Sequence, residues 1–345
     1  MSRLFLLCVL CVTTLAGAKA QQGNPGSASK GGNLWLTYPG SDGPGKGRHV
    51  VLIAAEQEYR SEQSMPMLAK VLARHHGFDC TVLFSVNENG EVDPTVPAPF
   101  KDRAKRHRIP GLSLLAKADC VIWISRFMHL PDEEMQHFYD YFDSGKPLIA
   151  LRTANHGFWG GLNYRKDGKR VSLREMLGGT FMAHHGGWHR EATRGVIVPE
   201  HRDHPILTGV KDIWGTSDVY RCHDNKNPFP EDCTALVLGQ PLINLEKDAP
   251  PNTQKEPLPV AWTKAWIGNR GLASKVLHFT MGSAGDLENE GVRRITVNGV
   301  YWGLGMENAI KADRSVAIIG DYKPLKPGFN YEKLGVRPRK VEFYR

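Results

Sequence analysis

Residues 49–55 read HVVLIAA: one histidine, then six apolar residues, then Glu56. A run this short and this continuously apolar marks a strand buried on both faces, as in a parallel sheet. The residues that follow agree with it. Ser61 is placed to cap a helix on which Met65, Leu68 and Leu72, with His75 or His76, share a face, and Gly77 ends it. Residues 80–85 and 118–125 repeat the strand signature, separated by a polar, proline-containing insert that runs to Pro110. Pro131 opens a second helix whose first turn holds Asp132, Glu133 and Glu134, which suits the helix dipole. Met135, Phe138 and Phe142 form its apolar stripe, Gly145 closes it, and residues 147–151 make a fourth strand. This alternation predicts an α/β fold with a mainly parallel sheet flanked by helices.

Beyond that point the pattern is less regular and reads as a decorated second half of the same domain. Residues 195–199, 235–238, 259–262 and 275–280 have strand character, and Val292, Ile295, Gly299 and Trp302 have the spacing of a closing helix. The ordered domain is expected over residues 48–310, with an irregular tail over 311–345. Residues 21–47, rich in Gly, Ser, Pro and Asn, read as a flexible leader in which 34–38 docks. The first twenty residues combine Arg3, an apolar run from Leu4 to Leu15 and the small-x-small triplet Ala18-Lys19-Ala20. That is the pattern of a secretory signal peptide, so an exported protein, periplasmic or secreted, is expected. The apolar run is too short to span a bilayer, and no later stretch is long and apolar enough.

Four cysteines remain after such a cleavage: Cys80, Cys120, Cys222 and Cys233. No C-x-x-C is present, and Cys222 with Cys233 is the better candidate pair. The net charge is +8, and its densest patch, residues 101–108 (KDRAKRHR), has no interleaved aromatics. A solvated loop is the expectation there, and no nucleic-acid partner.

In an open parallel sheet, ligands bind beyond the carboxyl ends of the strands. That rule selects Glu56, Glu58, Tyr59 and Arg60 after the first strand and Ser125, Arg126 and His129 after the third. After the fourth it selects Arg152, Thr153, Asn155 and His156. Residues 145–158 (GKPLIALRTANHGF) resemble the strand-to-turn segment of class I glutamine amidotransferases, where a cysteine nucleophile sits on a sharp elbow. Here that place is held by Arg152, which cannot serve as a nucleophile. Glutamine hydrolysis is therefore not expected.

The remaining motifs narrow the resemblance. GGTFMAH (178–184), HPILTG (204–209), SDVY (217–220), PVAWT (259–263), KVLHFTMGS (275–283) and NGVYWGLG (298–305) follow one another in the order of the trehalose-utilisation, ThuA-like family, which the chain resembles over about residues 48–310. The resemblance implies a flavodoxin-like, amidotransferase-related fold and a link to carbohydrate metabolism. It supplies no mechanism. Ser283 stands for the usual terminal histidine, Asp218 for a glutamate, and Arg152 for the histidine that many relatives carry at the elbow.

The histidine-rich loop FMAHHGGWHR (181–190) holds the family's histidine position at His184. If the loop is extended, side chains alternate. With Phe181 turned inward, His184 then faces the open edge of the sheet and His185 faces neighbouring structure. The expected partners of His184 are Arg152, His156, Asp218 or Tyr220. The leading expectation is a sugar-active protein, acting on a keto-sugar or glycoside as hydrolase or lyase. In it His184 transfers a proton, Arg152 stabilises developing negative charge and Asp218 orients. Glu56, Glu58, Tyr59, Arg60, Arg126, Asn155, His156, Trp188 and Tyr220 would contact the carbohydrate. One alternative is a non-catalytic carbohydrate-binding or scaffold protein on the same fold. Another is a metal-dependent hydrolase holding a divalent cation through His184, His189 and His156. No cofactor is otherwise implied. His201 and His204 read as structural.

Overall fold

The computed structural model describes residues 34–345; the signal-peptide reading and residues 21–33 of the leader lie outside them. A ten-stranded sheet forms the centre. In chain order its strands begin with β1 (Trp35–Tyr38) and β2 (His49–Ala55). Helix α1 (Ser61–His76) leads to β3 (Asp79–Phe84) and β4 (Cys120–Ser125), and α2 (Asp132–Phe142) to β5 (Leu148–Leu151). A small hairpin, β6 (Arg165–Lys166) and β7 (Lys169–Arg170), and a short helix α3 (Leu173–Leu177) follow. Then come β8 (Ala183–His184), β9 (Thr193–Ile197), β10 (Trp214–Gly215), β11 (Tyr220–Arg221), β12 (Cys233–Pro241), β13 (Leu258–Ile267) and β14 (Ala273–Phe279). Helix α4 (Glu290–Gly303) closes the domain.

The sheet order is β1-β3-β2-β4-β5-β14-β13-β12-β9-β10. Strands β3, β2, β4, β5 and β14 are parallel, in the order second-first-third-fourth-fifth of the flavodoxin-like arrangement. The decoration of the second half is antiparallel: β13, β12, β9 and β10 extend the sheet beyond β14, and β1 covers the other edge. Segment 34–38 of the leader therefore docks as an edge strand.

The β2 run explains the layering. Val50, Leu52 and Ala54 enter one buried cluster with Met65, Leu68 and Leu72 of α1 and Val292 and Ile295 of α4. Val51, Ile53 and Ala55 enter the other, with Phe138 and Phe142 of α2 and Trp123 of β4. The two-residue period of a strand sends alternate side chains to opposite faces, so one sequence run fills two cores. Gly77 ends α1 at φ 81 and donates its N–H to Ala73. Ser61 is the first residue of α1 rather than its cap; Arg60 takes the cap position at φ 60, and the Glu56 carboxylate accepts the Ser61 N–H. The residues after 310 carry no long element, yet they pack on α1 and β3: Leu325 N–H bonds Gln63 of α1, and Tyr344 stacks on Phe84 of β3.

Candidate functional site

The carboxyl ends of β2, β4 and β5 open on one edge, and the backbone there is strained. Among the described residues, five non-glycine residues have positive φ, and four of them sit here: Arg60 after β2, Phe127 after β4, Arg152 after β5 and His189 in the histidine-rich loop. Each costs on the order of 1 kcal/mol or more, and such strain collects where function demands a geometry.

Arg152 turns the chain from β5 at φ 43. Its side chain is wholly buried, at 0 % exposure. The guanidinium lies between the rings of Tyr220 (3.6 Å) and Tyr59 (4.6 Å). It donates to the Asp218 carbonyl and the Thr280 carbonyl, to Tyr59 Oη, and to Asp218 Oδ1 at 2.7 Å. Burial works against its charge, but Tyr220, Tyr59, Asp218 and Asp286 more than offset that and hold it cationic. The second Asp218 oxygen, Oδ2, receives His184 Nδ1 at 2.7 Å. Burial raises the Asp218 pKa, while Arg152 and His184 lower it further, and the net position is below the ordinary carboxylate range. An arginine, an aspartate and a histidine thus form a relay from the buried sheet edge outward. The His184 side chain is 37 % exposed, and its Nε2 has no hydrogen-bond partner among the described residues.

Strand pairing sets this geometry. β8 and β11 form a two-residue ladder that places His184 opposite Tyr220. His185 points away and bonds the Glu256 carbonyl. Phe181 differs from the expected inward anchor. It is half-buried over Tyr220 and Trp262, and its ring lies 5.0 Å from His184 and 4.9 Å from His156. The loop is extended only at β8, so alternation does not reach back to Phe181.

A second cluster is organised by Glu58. Its buried Oε1 accepts from Trp188 Nε1 at 2.7 Å and His189 Nε2 at 3.1 Å, and Arg126 Nε stands 3.6 Å from Oε2. Burial raises the Glu58 pKa, but the hydrogen bonds from His189 and Trp188 and the charges of Arg126 and Arg152 bring it below the ordinary range. Trp188 is 5.9 Å from His184, so the two clusters adjoin. Arg126 packs over the rings of Phe127 and Phe329. His156 donates through Nδ1 to Asn155 Oδ1 at 2.7 Å, on the reading that the amide oxygen accepts. Burial, then Arg126 and Arg152, push its pKa well below the ordinary histidine value.

The site residues chosen from sequence therefore sort into two groups. His184, His156, His189, Trp188 and Arg126 line the open edge. Arg152, Arg60, Glu56, Tyr59, Asn155, Asp218, Tyr220 and Glu58 are buried. Arg152, expected to meet developing charge directly, lies inside the fold with both terminal nitrogens hydrogen-bonded to Asp218, Thr280 and Tyr59. Arg60 likewise donates to the Glu58, Gln57 and Gly328 carbonyls, and Glu56 accepts the N–H groups of Glu58, Tyr59 and Ser61. Both hydrogen-bond the turn after β2. Cys222 and Cys233 are free thiols, which corrects the pairing; Cys222 Sγ instead receives Asn155 Nδ2 at 3.4 Å. Sequence reasoning missed Phe127 and Phe329. Phe329 belongs to the tail, where no periodicity signals burial, and Phe127 follows Arg126 with no motif around it. His184, His189 and His156 each spend one ring nitrogen on a neighbour, and among the described residues no three His, Cys, Asp or Glu side chains group as a metal-holding set.

Comparisons with known proteins bear on what this arrangement serves. A family model described as trehalose utilisation matches residues 50–303. Among solved structures, the chain is similar to a ThuA-like protein from Bacteroides uniformis, at 15% identity and TM-score 0.47, with 77% of this chain and 94% of that one covered. It is also similar to a ThuA-like protein from Parabacteroides merdae, at 14% identity and TM-score 0.44, covering 87% and 99%. No curated protein matches the chain.

Proposed function

The chain belongs to the trehalose-utilisation family, and on that premise we propose that it is an exported protein that acts on a carbohydrate, a keto-sugar or glycoside, by proton transfer at His184. The observation that carries this reading is the relay Arg152–Asp218–His184, which leaves Nε2 free at the open edge. Asp218, held ionised by Arg152, fixes the Nδ1–H tautomer and steadies the imidazolium when Nε2 takes a proton. Nε2 would take it from a sugar hydroxyl, or from carbon beside a keto group, and return it to the departing oxygen. Arg152 and Asp218 are positioning residues here; neither needs to touch the sugar. Arg126 is the guanidinium left near the surface, and it is the group that would face developing negative charge. Phe181 and Trp188, flanking His184, offer apolar faces to a sugar ring.

The non-catalytic reading keeps one observation in its favour: the elbow after β5 carries a buried arginine where a nucleophile would stand. One experiment separates the two. The purified protein is incubated with a panel of glycosides and keto-glycosides, beside His184→Ala. Turnover by the wild type, reduced on the order of 10²-fold or more in the variant with sugar affinity kept, is the expected result. Unchanged turnover in the variant would sink the His184 mechanism. Sugar binding by the wild type without turnover would favour the binding protein.

A further inference from the structure

Beside the relay a second concavity opens, about 870 Å³ in volume. One wall is the histidine-rich loop, at Trp188 and His189; the opposite wall is the C-terminal segment that carries Lys326, Phe329 and Lys333, and Leu245 completes it. Two of its lining rings are exposed although large and apolar: Trp188 at 41 % and Phe329 at 38 %. Their centroids are 6.3 Å apart with planes inclined by 34°.

The cavity is built rather than left over. Buried Glu58 holds both walls at once. Its carboxylate fixes Trp188 and His189, and its backbone carbonyl accepts the Gly328 N–H at 3.0 Å. Arg60, wholly buried, donates to the Gly328 carbonyl at 3.1 Å. Gly328 has φ 130, a backbone conformation that favours glycine, and it lies in van der Waals range of the His189 ring and Leu334. The Trp188 indole N–H is already satisfied by Glu58 and the ring stacks on His189 at 4.2 Å, which leaves its remaining exposed surface apolar. The volume falls in the range of sites for drug-sized ligands, and Trp188 borders both this cavity and the His184 site.

We propose that this cavity is a second ring subsite, and that the molecule handled at His184 is a glycoside of at least two rings. The ring beyond the reacting sugar presents an apolar face to Trp188 and Phe329. Aryl aglycones and a second pyranose share that chemistry, since both offer a flat or C–H-lined face to an aromatic plane. Lys326, Lys333 and Glu246 give the lining charges of both signs, so the aromatic faces are what select the ring. The inference rests on the carbohydrate reading of the His184 site, and it extends that site to the C-terminal segment.

The test is a calorimetric titration of wild type and Phe329→Ala with four probes: methyl glucoside, phenyl glucoside, trehalose and cellobiose. Phe329 is exposed; its truncation also removes a ring packed on Arg126, and the one-ring probe reports any effect of that on the His184 site. Two-ring probes should bind the wild type more tightly than methyl glucoside, and Phe329→Ala should weaken them about tenfold while the one-ring probe is unmoved. A gain for phenyl glucoside alone assigns an aryl aglycone; a gain for the disaccharides assigns a second sugar. Equal affinity for one-ring and two-ring probes, or equal loss for both in the variant, overturns the subsite and leaves the His184 site standing. No binding by any probe overturns the subsite together with the carbohydrate reading beneath it.

Discussion

Asp218 is one side chain with two obligations: Oδ1 meets Arg152 and Oδ2 meets His184. The costs of removal are unequal. Asp218→Ala strands a buried guanidinium without its counter-charge, and should destabilise the fold by about 3–5 kcal/mol. His184→Ala removes a partly exposed ring and should cost about 1 kcal/mol or less. Denaturant midpoints for the two variants give the comparison; equal losses would contradict the assignment of Asp218 as the buried partner of Arg152. At this scale the sequence showed which residue types gather at the strand ends, and the motif order brought out His184. It could not show which way Arg152 turns. A left-handed backbone at the elbow and two flanking tyrosines draw it inward, and both come from contacts between distant segments.

At the scale of elements, the paired glycines 178 and 179 show why a motif can be read without its reason. Gly178 ends α3 at φ 81, and a Cβ there would lie 2.5 Å from Cys233 Sγ and 2.8 Å from Trp262 Nε1. Gly179 would bring a Cβ to 2.9 Å from both the His223 and the Trp262 rings. Gly178→Ala should therefore cost about 2 kcal/mol or more, combining a left-handed cap with overpacking. Thermal unfolding of the variant measures it, and a loss below about 0.5 kcal/mol would contradict the packing described. The first four parallel strands and the helices α1 and α2 were legible because their apolar period is local. The second-half strands were legible as strands, but not that β9, β12 and β13 run antiparallel while β14 joins the parallel set, since pairing is set by long-range neighbours. Two-residue elements such as β8, β10 and β11 leave no period to read.

For the whole molecule, buried titratable groups set a pH response. Burial, followed by other causes, lowers His278 to about 4 and His76 to about 3, and holds His156 well below its ordinary value. The unfolded chain takes up these protons below about pH 6.5 while the fold does not, so stability is lost as pH falls through that window. Glu62 acts in the opposite sense. Burial raises it to about 7, so its contribution is complete below its ordinary value and lost as pH rises through about 7. Burial also lowers His49, His107, His204 and His223 and raises Glu134 and Glu288; the histidines outnumber the carboxyls, and unfolding free energy should rise between about pH 4.5 and 6.5. Each histidine contributes at most about 1.4 kcal/mol per pH unit. Urea titrations at the two pH values check this, and a flat or falling trend would contradict it. The C-terminal segment was legible only as irregular: its hold on Gln63 of α1, on Arg60 and on Glu58 runs through hydrogen bonds to its own backbone, which side-chain pattern does not encode.

The central claim is that His184 presents a free Nε2 because Asp218 binds its Nδ1–H. Long-range proton–nitrogen NMR of the imidazole, with and without a saturating glycoside, reads this directly. The account predicts an Nδ1–H tautomer in the free wild type, a shift centred on Nε2 when glycoside is added, and tautomer exchange in Asp218→Asn. An Nε2–H tautomer in the wild type, or a His184 signal indifferent to every glycoside that binds, would contradict it.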